Sequence, residues 1–423
     1  MQSPIQLGIL IMISFLSFSM LQFFVFFKII SYLIFPLGLI YYYIKAKLKR
    51  KNIVIKGRII PPEFPDKEEK RLWMHGVSVG EILSLYPLAK ELREKGLDIV
   101  VSTTTSTGME VARKRFKDFF VFYFPFDLPF LISKYLKEVK PDGIIIAETE
   151  LWPNFLLTAK KMNIPIFLVN GRMSASSYVW YKRFKGIMRK IMDSFTLVCV
   201  QSQEYRRKFI DVGAPENKVV VTGNMKADFE ITKTTDISII KFKYIIAGST
   251  MDAEEDNFIL KAFKKSKCEA RLIIAPRHPE RAEETFEAAK SFGFNVCRRT
   301  QMKENWDVMV LDTMGELAGL YSGAKLSIIG GSIKPYGGHN LLEPAYFGSP
   351  IAFGLHMENF NDLAEEFIRE GAALIFKTEN ELASIMKEAS QGNLALIGEK
   401  GKKVLNRLKG ASRKNAELIL SKI

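Results

Sequence analysis

The sequence predicts an α/β protein built from two doubly wound domains that follow an apolar N-terminal segment. Three observations support this fold class. The chain has 423 residues, which is too long for one compact core. From Arg71 onward, short β-branched runs alternate with amphipathic helical segments, a pattern typical of parallel sheets. The alternation lapses in the polar stretch Ile231–Ser238 and then begins again, which indicates two domains.

The N-terminal segment is apolar enough to predict a membrane anchor over residues 1–44. No charged side chain occurs from Ile5 to Phe27, and Lys28 is the only charge before Lys45. About 20 apolar residues suffice to cross a bilayer as a helix. Five basic residues follow this block: Lys45, Lys47, Lys49, Arg50 and Lys51. Because flanking basic residues stay in the cytoplasm, we expect everything from about residue 45 onward on the cytoplasmic side. The block itself fits one span, a hairpin, or a span followed by a half-buried segment.

The first alternating series predicts a domain over residues 45–235. Its strands are predicted at Leu72–Val77, Ile99–Thr103, Gly143–Ala147, Ile166–Val169, Leu197–Val200 and Val219–Val221, and its helices include Glu81–Lys95, Leu128–Glu138 and Glu204–Val212. Loops collect at the carboxyl ends of parallel strands. Two such domains are therefore expected to face each other across a ligand-binding cleft.

The second series predicts a domain over residues 236–423. Its strands are predicted at Tyr244–Ala247, Arg271–Ala275, Val308–Leu311, Leu326–Ile329 and Ile351–Phe353. The final stretch, Lys400–Ile423, is predicted as a basic helix. We hypothesise that this helix packs back on the first domain.

The cysteine and histidine content gives no sign of a metal centre. The chain has three cysteines and four histidines. No two cysteines form a CxxC pair, and no two histidines stand at metal-ligand spacing. Neither a disulfide framework nor a zinc site is predicted.

The net charge of +15 suggests an anionic partner, which is a nucleic acid, a membrane or an acidic substrate. No helix-turn-helix, zinc-finger or ribonucleoprotein motif is present, so nucleic acid is disfavoured. In Tyr178–Lys190 basic residues alternate with aromatic ones. This composition suits an interface with anionic lipid headgroups, and the alternative is a solvated basic helix face.

Candidate catalytic carboxylates follow two predicted strands of the first domain. Glu81 ends the motif WMHGVSVGE and could serve as a general base. The alternative is that it only caps the next helix, since a carboxylate is favoured in a first helical turn. Glu148 and Glu150 follow the very apolar strand Gly143–Ala147. Charges at the end of a buried strand are costly unless they are paired or used.

Two basic residues follow later strands of the same domain. Arg172, in NGRMSASSY, is available to bind an anion. Lys226, in GNMKAD, could neutralise charge on a departing phosphate. A lone lysine is usually solvated, so Lys226 is a weak signal by itself.

The second domain carries signals for a nucleotide. Polar or glycine-rich segments follow its strands: Gly248, Ser249 and Thr250; Pro276, Arg277 and His278; Thr313–Leu317; and Gly330–Pro344, which contains Glu343. Glycines let backbone approach a ligand, and helix starts offer free N–H groups to phosphate. Neither a Walker P-loop nor a GxGxxG fingerprint is present, which disfavours ATP and NAD.

Taken together in their order, these motifs resemble the Kdo (3-deoxy-D-manno-octulosonic acid) transferase family of lipopolysaccharide biosynthesis. The words that carry the resemblance are HGVSVGE, TTTSTG, FPFD, ETELWPN, NGRMS, GNMK, PRHPER, TMGEL and GGHNLLEPA. The resemblance implies the GT-B glycosyltransferase fold, whose two Rossmann-like domains face a cleft. It also implies metal-independent, inverting transfer of Kdo from CMP-Kdo to a tetra-acylated lipid A precursor at the inner membrane. No cofactor and no nucleic acid partner are implied.

The resemblance also assigns roles to residues. Glu81 matches the general base, and Glu148 and Lys226 match transition-state stabilisers, with Glu150 as the alternative to Glu148. The implied nucleotide contacts are Pro276, Arg277, Met314, Gly315, Glu316, Asn340, Leu341, Leu342 and Glu343. Ser249, Thr250, His278 and Arg172 are further candidates by position. The chain departs from the family pattern in its first 27 residues, and in Gly76, where alanine or serine is expected.

Two other functions compete with this interpretation. One is a GT-B transferase or epimerase that uses a UDP-sugar, since glycine loops with a glutamate also serve UDP enzymes. The other belongs to a different class, a non-catalytic membrane-bound adaptor that retains the fold without turnover.

Overall fold

Two compact units make up the protein. The structure is a computed structural model that describes residues 29, 31–33, 35–36, 55–229, 231, 240 and 242–423. Unit 1 comprises Met1–Phe229 together with Lys409–Ile423, and unit 2 comprises Glu230–Leu408. In the described ranges each unit contains a sheet of seven strands.

Unit 1 is a parallel α/β sheet with helices on both faces. Its elements are α1 (Lys56–Ile59), β1 (Arg71–His75), α2 (Val79–Glu94), β2 (Asp98–Thr103), α3 (Ser106–Arg115), β3 (Phe120–Tyr123), α4 (Pro129–Val139), β4 (Gly143–Ala147), α5 (Pro153–Lys161), β5 (Ile166–Gly171), α6 (Ala175–Arg183), α7 (Lys185–Asp193), β6 (Leu197–Val200), α8 (Gln203–Asp211) and β7 (Val219–Val221). Helical coverage on both faces explains why β1, β4 and β5 are buried along their whole length.

Unit 2 repeats this architecture. Its elements are β8 (Tyr244–Thr250), α9 (Ala253–Ser266), β9 (Arg271–Pro276), α10 (Ala282–Ser291), β10 (Val296–Arg298), β11 (Val308–Val310), α11 (Leu317–Leu320), β12 (Ala324–Ile329), α12 (Leu342–Phe347), β13 (Ile351–Phe353), α13 (Asn361–Arg369), β14 (Leu374–Ile375), α14 (Glu379–Gln391) and α15 (Ala395–Leu408). The last helix, α16 (Ala411–Leu420), returns to unit 1.

The strand order of each sheet marks where a ligand is expected. Unit 1 has the order β3-β2-β1-β4-β5-β6-β7, and unit 2 has the order β10-β11-β9-β8-β12-β13-β14. The direction of winding reverses between β1 and β4 in unit 1, and between β8 and β12 in unit 2. A crevice opens at the carboxyl ends of the strands at such a switch point. Predicted site residues lie at or after the carboxyl ends of all four of these strands.

The predicted fold class requires a correction at the N-terminus. Within the part of the chain that the structure describes, no helix combines the length and the apolar character needed to cross a membrane. The predicted transmembrane anchor over residues 1–44 is therefore not supported. Most of that segment, residues 1–28, 30, 34 and 37–44, lies outside the described residues.

The C-terminal helix also differs from its prediction. The segment Lys400–Ile423 contains parts of two helices, α15 and α16, with Gly410 between them at φ +97°. The carboxylate of Asp228 accepts hydrogen bonds of 2.6 Å from the backbone N–H groups of Gly410 and Ser412. Asp228 thus supplies the N-terminal cap of α16, which fixes this helix on unit 1.

Candidate functional site

Glu81 lies at the start of α2, directly after β1. Ser78 is the N-cap, and its hydroxyl accepts a hydrogen bond from the Glu81 N–H at 3.2 Å. The Glu81 carboxylate in turn accepts from the Ser78 hydroxyl at 2.6 Å and from the Val77 N–H at 2.8 Å. This is a capping-box arrangement. Burial raises the pKa of Glu81, against the effect of these hydrogen bonds.

Gly76 bears on the position of Glu81. A Cβ added at Gly76 would lie 3.2 Å from the Cβ of Glu81 and 3.3 Å from Cδ1 of Leu85. The glycine therefore leaves Glu81 more room than the alanine or serine that the family pattern leads one to expect.

Glu148 lies at the end of β4, next to β1 in the sheet. Its backbone is left-handed, with φ 53°, which is uncommon for a residue with a side chain. Its buried carboxylate has a cation on each oxygen: Nε of Arg172 donates to Oε2 at 2.5 Å, and Nζ of Lys226 lies 3.0 Å from Oε1. The structure thus brings together three predicted site residues that are distant in sequence.

Glu150 completes a group of three carboxylates. Burial, together with the nearby carboxylates of Glu81 and Glu148, raises the pKa of Glu150 to about 7. Burial and then the charge of Glu150 raise the pKa of Tyr181 on α6, which places this phenol near the group. A carboxyl that titrates near neutral pH beside two others is suited to proton transfer.

Two residues that the sequence analysis did not assign hold this edge of the sheet in place. Asn170 is the penultimate residue of β5 and has φ 54°. Its side-chain oxygen accepts from the Met225 N–H at 3.0 Å, one residue before Lys226. Asp127, from the FPFD motif, accepts from the N–H groups of Asn154 and Phe155 at 3.0 and 2.8 Å. Asp127 thereby caps α5, which follows the ETELW loop. Asparagine is enriched in left-handed backbone, so its position after a predicted strand was a usable signal.

In unit 2, Arg277 is the centre of a second polar group. Burial, together with the charges of Arg277 and His278, lowers the pKa of His339 to about 4. Burial raises the pKa of Glu343, and both a hydrogen bond from Asn340 and the charge of Arg277 oppose that rise. These four neighbours of Arg277 follow β9 and β12. Together with the Arg277 guanidinium, which is suited to phosphate, they supply a carboxylate, that of Glu343, which is suited to hydroxyl groups.

The remaining residues of the GGHNLLEP motif are held by their own contacts. The Asn340 side chain donates to Glu343 at 3.2 Å and accepts from the Leu342 N–H at 3.1 Å. Leu341 and Leu342 are 0% and 1% exposed. Their side chains belong to the core, so only their backbone atoms are available to a ligand.

The TMGEL motif is anchored separately. Glu316 accepts a hydrogen bond from Arg299 at 2.9 Å and another from the Thr313 hydroxyl. Gly315 has φ +87°, and the Met314 side chain is 78% exposed. Of the predicted contacts in this motif, Met314 presents the most accessible side chain.

Ser249, Thr250 and Pro276 form the strand ends beneath Arg277. Ser249 has φ 63°, and the buried Thr250 accepts the Arg277 N–H on its carbonyl at 2.8 Å. Pro276 ends β9 and is paired with Thr250. These contacts fix the backbone from which Arg277 and His278 extend.

Within the described residues, no group of three or more His, Cys, Asp or Glu side chains is arranged to hold a metal ion. The three cysteines, Cys199, Cys268 and Cys297, are free thiols.

Comparisons with known proteins agree with this architecture. The crystal structure of a glycosyltransferase from Rickettsia africae has a TM-score of 0.59 and 15% identity, with coverage of 84% of this chain and 100% of that one. At this identity the likeness concerns the fold alone. A bifunctional glycosyltransferase/methyltransferase from Fusobacterium nucleatum is 31% identical over 352 residues, which is 79% of this chain and 54% of that protein. The chain thus spans about half the length of that relative.

Two further comparisons identify the family. A family model described as 3-deoxy-D-manno-octulosonic-acid transferase (kdotransferase) matches residues 54–229. A 3-deoxy-D-manno-octulosonic acid transferase from Haemophilus influenzae is 31% identical over 368 residues, which is 82% of this chain and 86% of that protein. The chain therefore belongs to the 3-deoxy-D-manno-octulosonic acid transferase family.

Proposed function

We propose that this protein transfers Kdo from CMP-Kdo to a hydroxyl group of a tetra-acylated lipid A precursor, with inversion and without a metal or cofactor. One observation supports the proposal most directly. The buried Glu148 carboxylate, with Arg172 and Lys226 on its oxygens, lies with Glu81 and Glu150 at the switch point of unit 1. Because the chain belongs to the transferase family, we assign the sugar-transfer reaction to this edge of the sheet.

The proposed reaction is a single displacement at the anomeric carbon of Kdo. Glu81 accepts the proton of the acceptor hydroxyl as the oxygen–carbon bond forms, and CMP leaves with the bonding electrons. A raised pKa brings the base closer to neutral pH, where it accepts a proton more readily from a weak acid. Glu148 and Lys226 stabilise charge that develops in the transition state.

In unit 2, the group around Arg277 supplies the proposed donor contacts. Arg277 and His278 face the leaving phosphate, and Glu343 with Asn340 faces the ribose hydroxyls. The backbone at Pro276, Leu341 and Leu342 and the segment Met314–Glu316 complete these contacts.

A detergent assay with purified full-length protein tests this function. CMP-Kdo and a tetra-acylated lipid A precursor are incubated with the enzyme in EDTA, and the product is read by mass spectrometry. A mass gain of one or more Kdo units supports the proposed donor, acceptor and metal independence together. If no product forms and the protein binds UDP rather than CMP, a UDP-sugar enzyme is favoured instead. A Glu81→Gln variant that keeps its cellular role would favour the adaptor.

We also propose that α6 brings the enzyme to anionic lipid at the cytoplasmic face of the inner membrane. No residue of α6 is buried, and Val179 and Trp180 are 66% and 41% exposed. Basic residues follow them in sequence: Lys182 and Arg183 on α6, and Lys185, Arg189 and Lys190 on α7. Aromatic and basic side chains together favour the headgroup region, and the cytoplasmic leaflet is negatively charged. The charge of Glu150 contributes, after burial, to the raised pKa of the neighbouring Tyr181. This helix therefore adjoins the proposed catalytic edge.

The lipid contact has its own test. Vesicles that contain brominated anionic lipid should quench the emission of Trp180, and a Trp180→Phe variant should lose that part of the quenching. Zwitterionic vesicles are the control. If both proteins bind the vesicles and quenching is the same in the wild type and in Trp180→Phe, α6 does not contact the lipid.

A further inference from the structure

The first turn of α9 in unit 2 repeats the arrangement that holds Glu81 in unit 1. Asp252 is the N-cap and accepts from the Glu255 N–H at 2.8 Å. The Glu255 carboxylate reaches back and accepts from the Met251 N–H at 2.8 Å. Glu81 makes the equivalent contact with the Val77 N–H. Each glutamate follows the strand at the switch point of its own sheet, so the two occupy equivalent places.

The two glutamates differ in what else their carboxylates contact. Glu81 otherwise accepts from the Ser78 hydroxyl. Glu255 accepts two further backbone N–H groups from the loop after β12, from Gly331 at 2.9 Å and from Ile333 at 3.3 Å. Its side chain is 0% exposed. The Glu255 carboxylate accepts hydrogen bonds from three backbone N–H groups and has no access to solvent. It is therefore not available to bind a substrate, and its role is to hold the loop.

The loop that Glu255 holds passes unusually close to β8. A Cβ at Gly330 would lie 2.3 Å from the Ser249 carbonyl oxygen, and Gly331 has φ +69°. Backbone that passes so closely, in a conformation that favours glycine, needs fixed partners for its polar groups. The N–H groups of Gly331 and Ile333 donate to the Glu255 carboxylate. These two N–H groups are therefore not available to bind a ligand.

Asp256, the next residue of α9, holds a different loop. Its side chain is 0% exposed and accepts from Arg281 at 2.7 Å and from the Thr285 hydroxyl at 2.8 Å. Arg281 also donates to the Thr250 carbonyl at 3.2 Å. That same carbonyl accepts the N–H of Arg277. Asp256 therefore reaches the backbone of Arg277 through two intermediate groups.

We propose that Glu255 and Asp256 are positioning residues for nucleotide binding by unit 2. Glu255 fixes the loop after β12, which leads to His339, Asn340 and Glu343. Asp256 fixes the loop after β9, which carries Arg277 and His278. Neither carboxylate touches the nucleotide. The inference rests on the proposed function, in which unit 2 binds the donor.

Calorimetric titration of the full-length protein with CMP, and separately with UDP, tests this role. Glu255→Gln replaces one carboxylate oxygen with an NH₂ group. This group is a hydrogen-bond donor, so it faces a backbone N–H donor and at least one hydrogen bond to the backbone is lost. We expect the Kd for CMP to rise about tenfold or more, the KM for the donor to rise with it, and kcat and the KM for the acceptor to change little. Asp256→Asn should act in the same direction. Glu287→Gln on α10, whose carboxylate lies 4.0 Å from Lys290 at the surface, is the matched control.

Hydrogen exchange separates this inference from the proposed function. Peptides that contain Gly331 and Ile333 should exchange faster in Glu255→Gln than in the wild type, whichever nucleotide binds. If the wild-type protein binds UDP and not CMP, the assignment of CMP as the nucleotide is wrong. The variants are then titrated with UDP in place of CMP. If Glu255→Gln does not fold, Glu255→Asp is measured in the same way. A folded variant with wild-type exchange and wild-type Kd would overturn the inference.

Discussion

The guanidinium of Arg172 and the carboxylate of Glu148 are joined by a hydrogen bond of 2.5 Å from Nε to Oε2. The side chain of Glu148 is 7% exposed and that of Arg172 is 38% exposed. Lys226 lies 3.0 Å from the other carboxylate oxygen. A charge removed from water is tolerated only with such partners. The two cations therefore keep an anion at the end of β4, where an apolar strand alone would exclude it.

Arg172→Gln should weaken catalysis more than it weakens the fold. The substitution leaves Glu148 with a single cation, and we expect kcat/KM to fall ~10–100-fold, which corresponds to ~1–3 kcal/mol of transition-state stabilisation. Because Arg172 is more than one third exposed, its pair should contribute only ~1 kcal/mol to the free energy of unfolding. Steady-state kinetics and urea unfolding measure the two effects.

Arg413→Gln is the control for this prediction. Arg413 on α16 pairs with Glu417 at 3.1 Å, with both side chains more than half exposed. This variant should leave both quantities unchanged. Wild-type kcat/KM in Arg172→Gln would show that Lys226 suffices for Glu148.

Glu81 and Ser78 offer a way to separate a catalytic base from a helix cap. Glu81→Gln should lower kcat by ~10²–10⁴-fold, the usual scale for a general base. Ser78→Ala removes the N-cap and the 2.6 Å hydrogen bond to Glu81 but keeps the carboxylate. It should cost ~1 kcal/mol of stability and less than ~10-fold in kcat. Equal losses of kcat in the two variants would mean that Glu81 acts through the cap.

The sequence predicted the sheet of unit 1 well because its buried strands are continuous apolar runs. Gly143–Ala147 and Leu197–Val200 have the predicted bounds. The strand Phe120–Tyr123 was missed. This run is also apolar, but it is short, three of its four residues are only partly buried, and its place beside β2 depends on long-range pairing.

The candidate site was predictable in its members but not in their pairing. Positions after strands indicated Glu148, Arg172 and Lys226 separately. The salt bridges among them depend on how β4, β5 and β7 lie in one sheet, which local sequence does not encode. Glu255 and Asp256 were missed for a related reason. Acidic residues in a first helical turn usually cap the helix, and only the tertiary structure shows that these two also hold remote loops.

Gly248 and Tyr321 form a close contact that a small substitution can test. A Cβ at Gly248 would lie 2.1 Å from the Tyr321 hydroxyl oxygen, so Gly248→Ala must displace a buried ring next to Glu343. We expect a loss of ~1–3 kcal/mol in the free energy of unfolding, the usual range for overpacking, and weaker CMP binding. Thermal unfolding and calorimetry are the measurements.

The double variant Gly248→Ala/Tyr321→Phe completes this test. Removal of the hydroxyl should recover part of the lost stability relative to Gly248→Ala. Gly186→Ala is the control, because a Cβ there meets nothing within 4 Å. No recovery in the double variant would place the strain elsewhere.

Glu150→Gln should change how the stability of the protein depends on pH. The pKa of Glu150 is raised to about 7 from an ordinary value of 4.5. Between these values the folded state holds a proton that the unfolded state has lost, so the free energy of unfolding falls as pH rises through this window. A glutamine does not titrate. The variant should therefore gain ~2–3 kcal/mol over the wild type between pH 4.5 and pH 7, with no further gain at higher pH. Urea unfolding at pH 5 and pH 8 measures the difference, and the exposed Glu68→Gln provides the control. If the two variants show the same pH dependence, Glu150 does not hold the extra proton in the folded state.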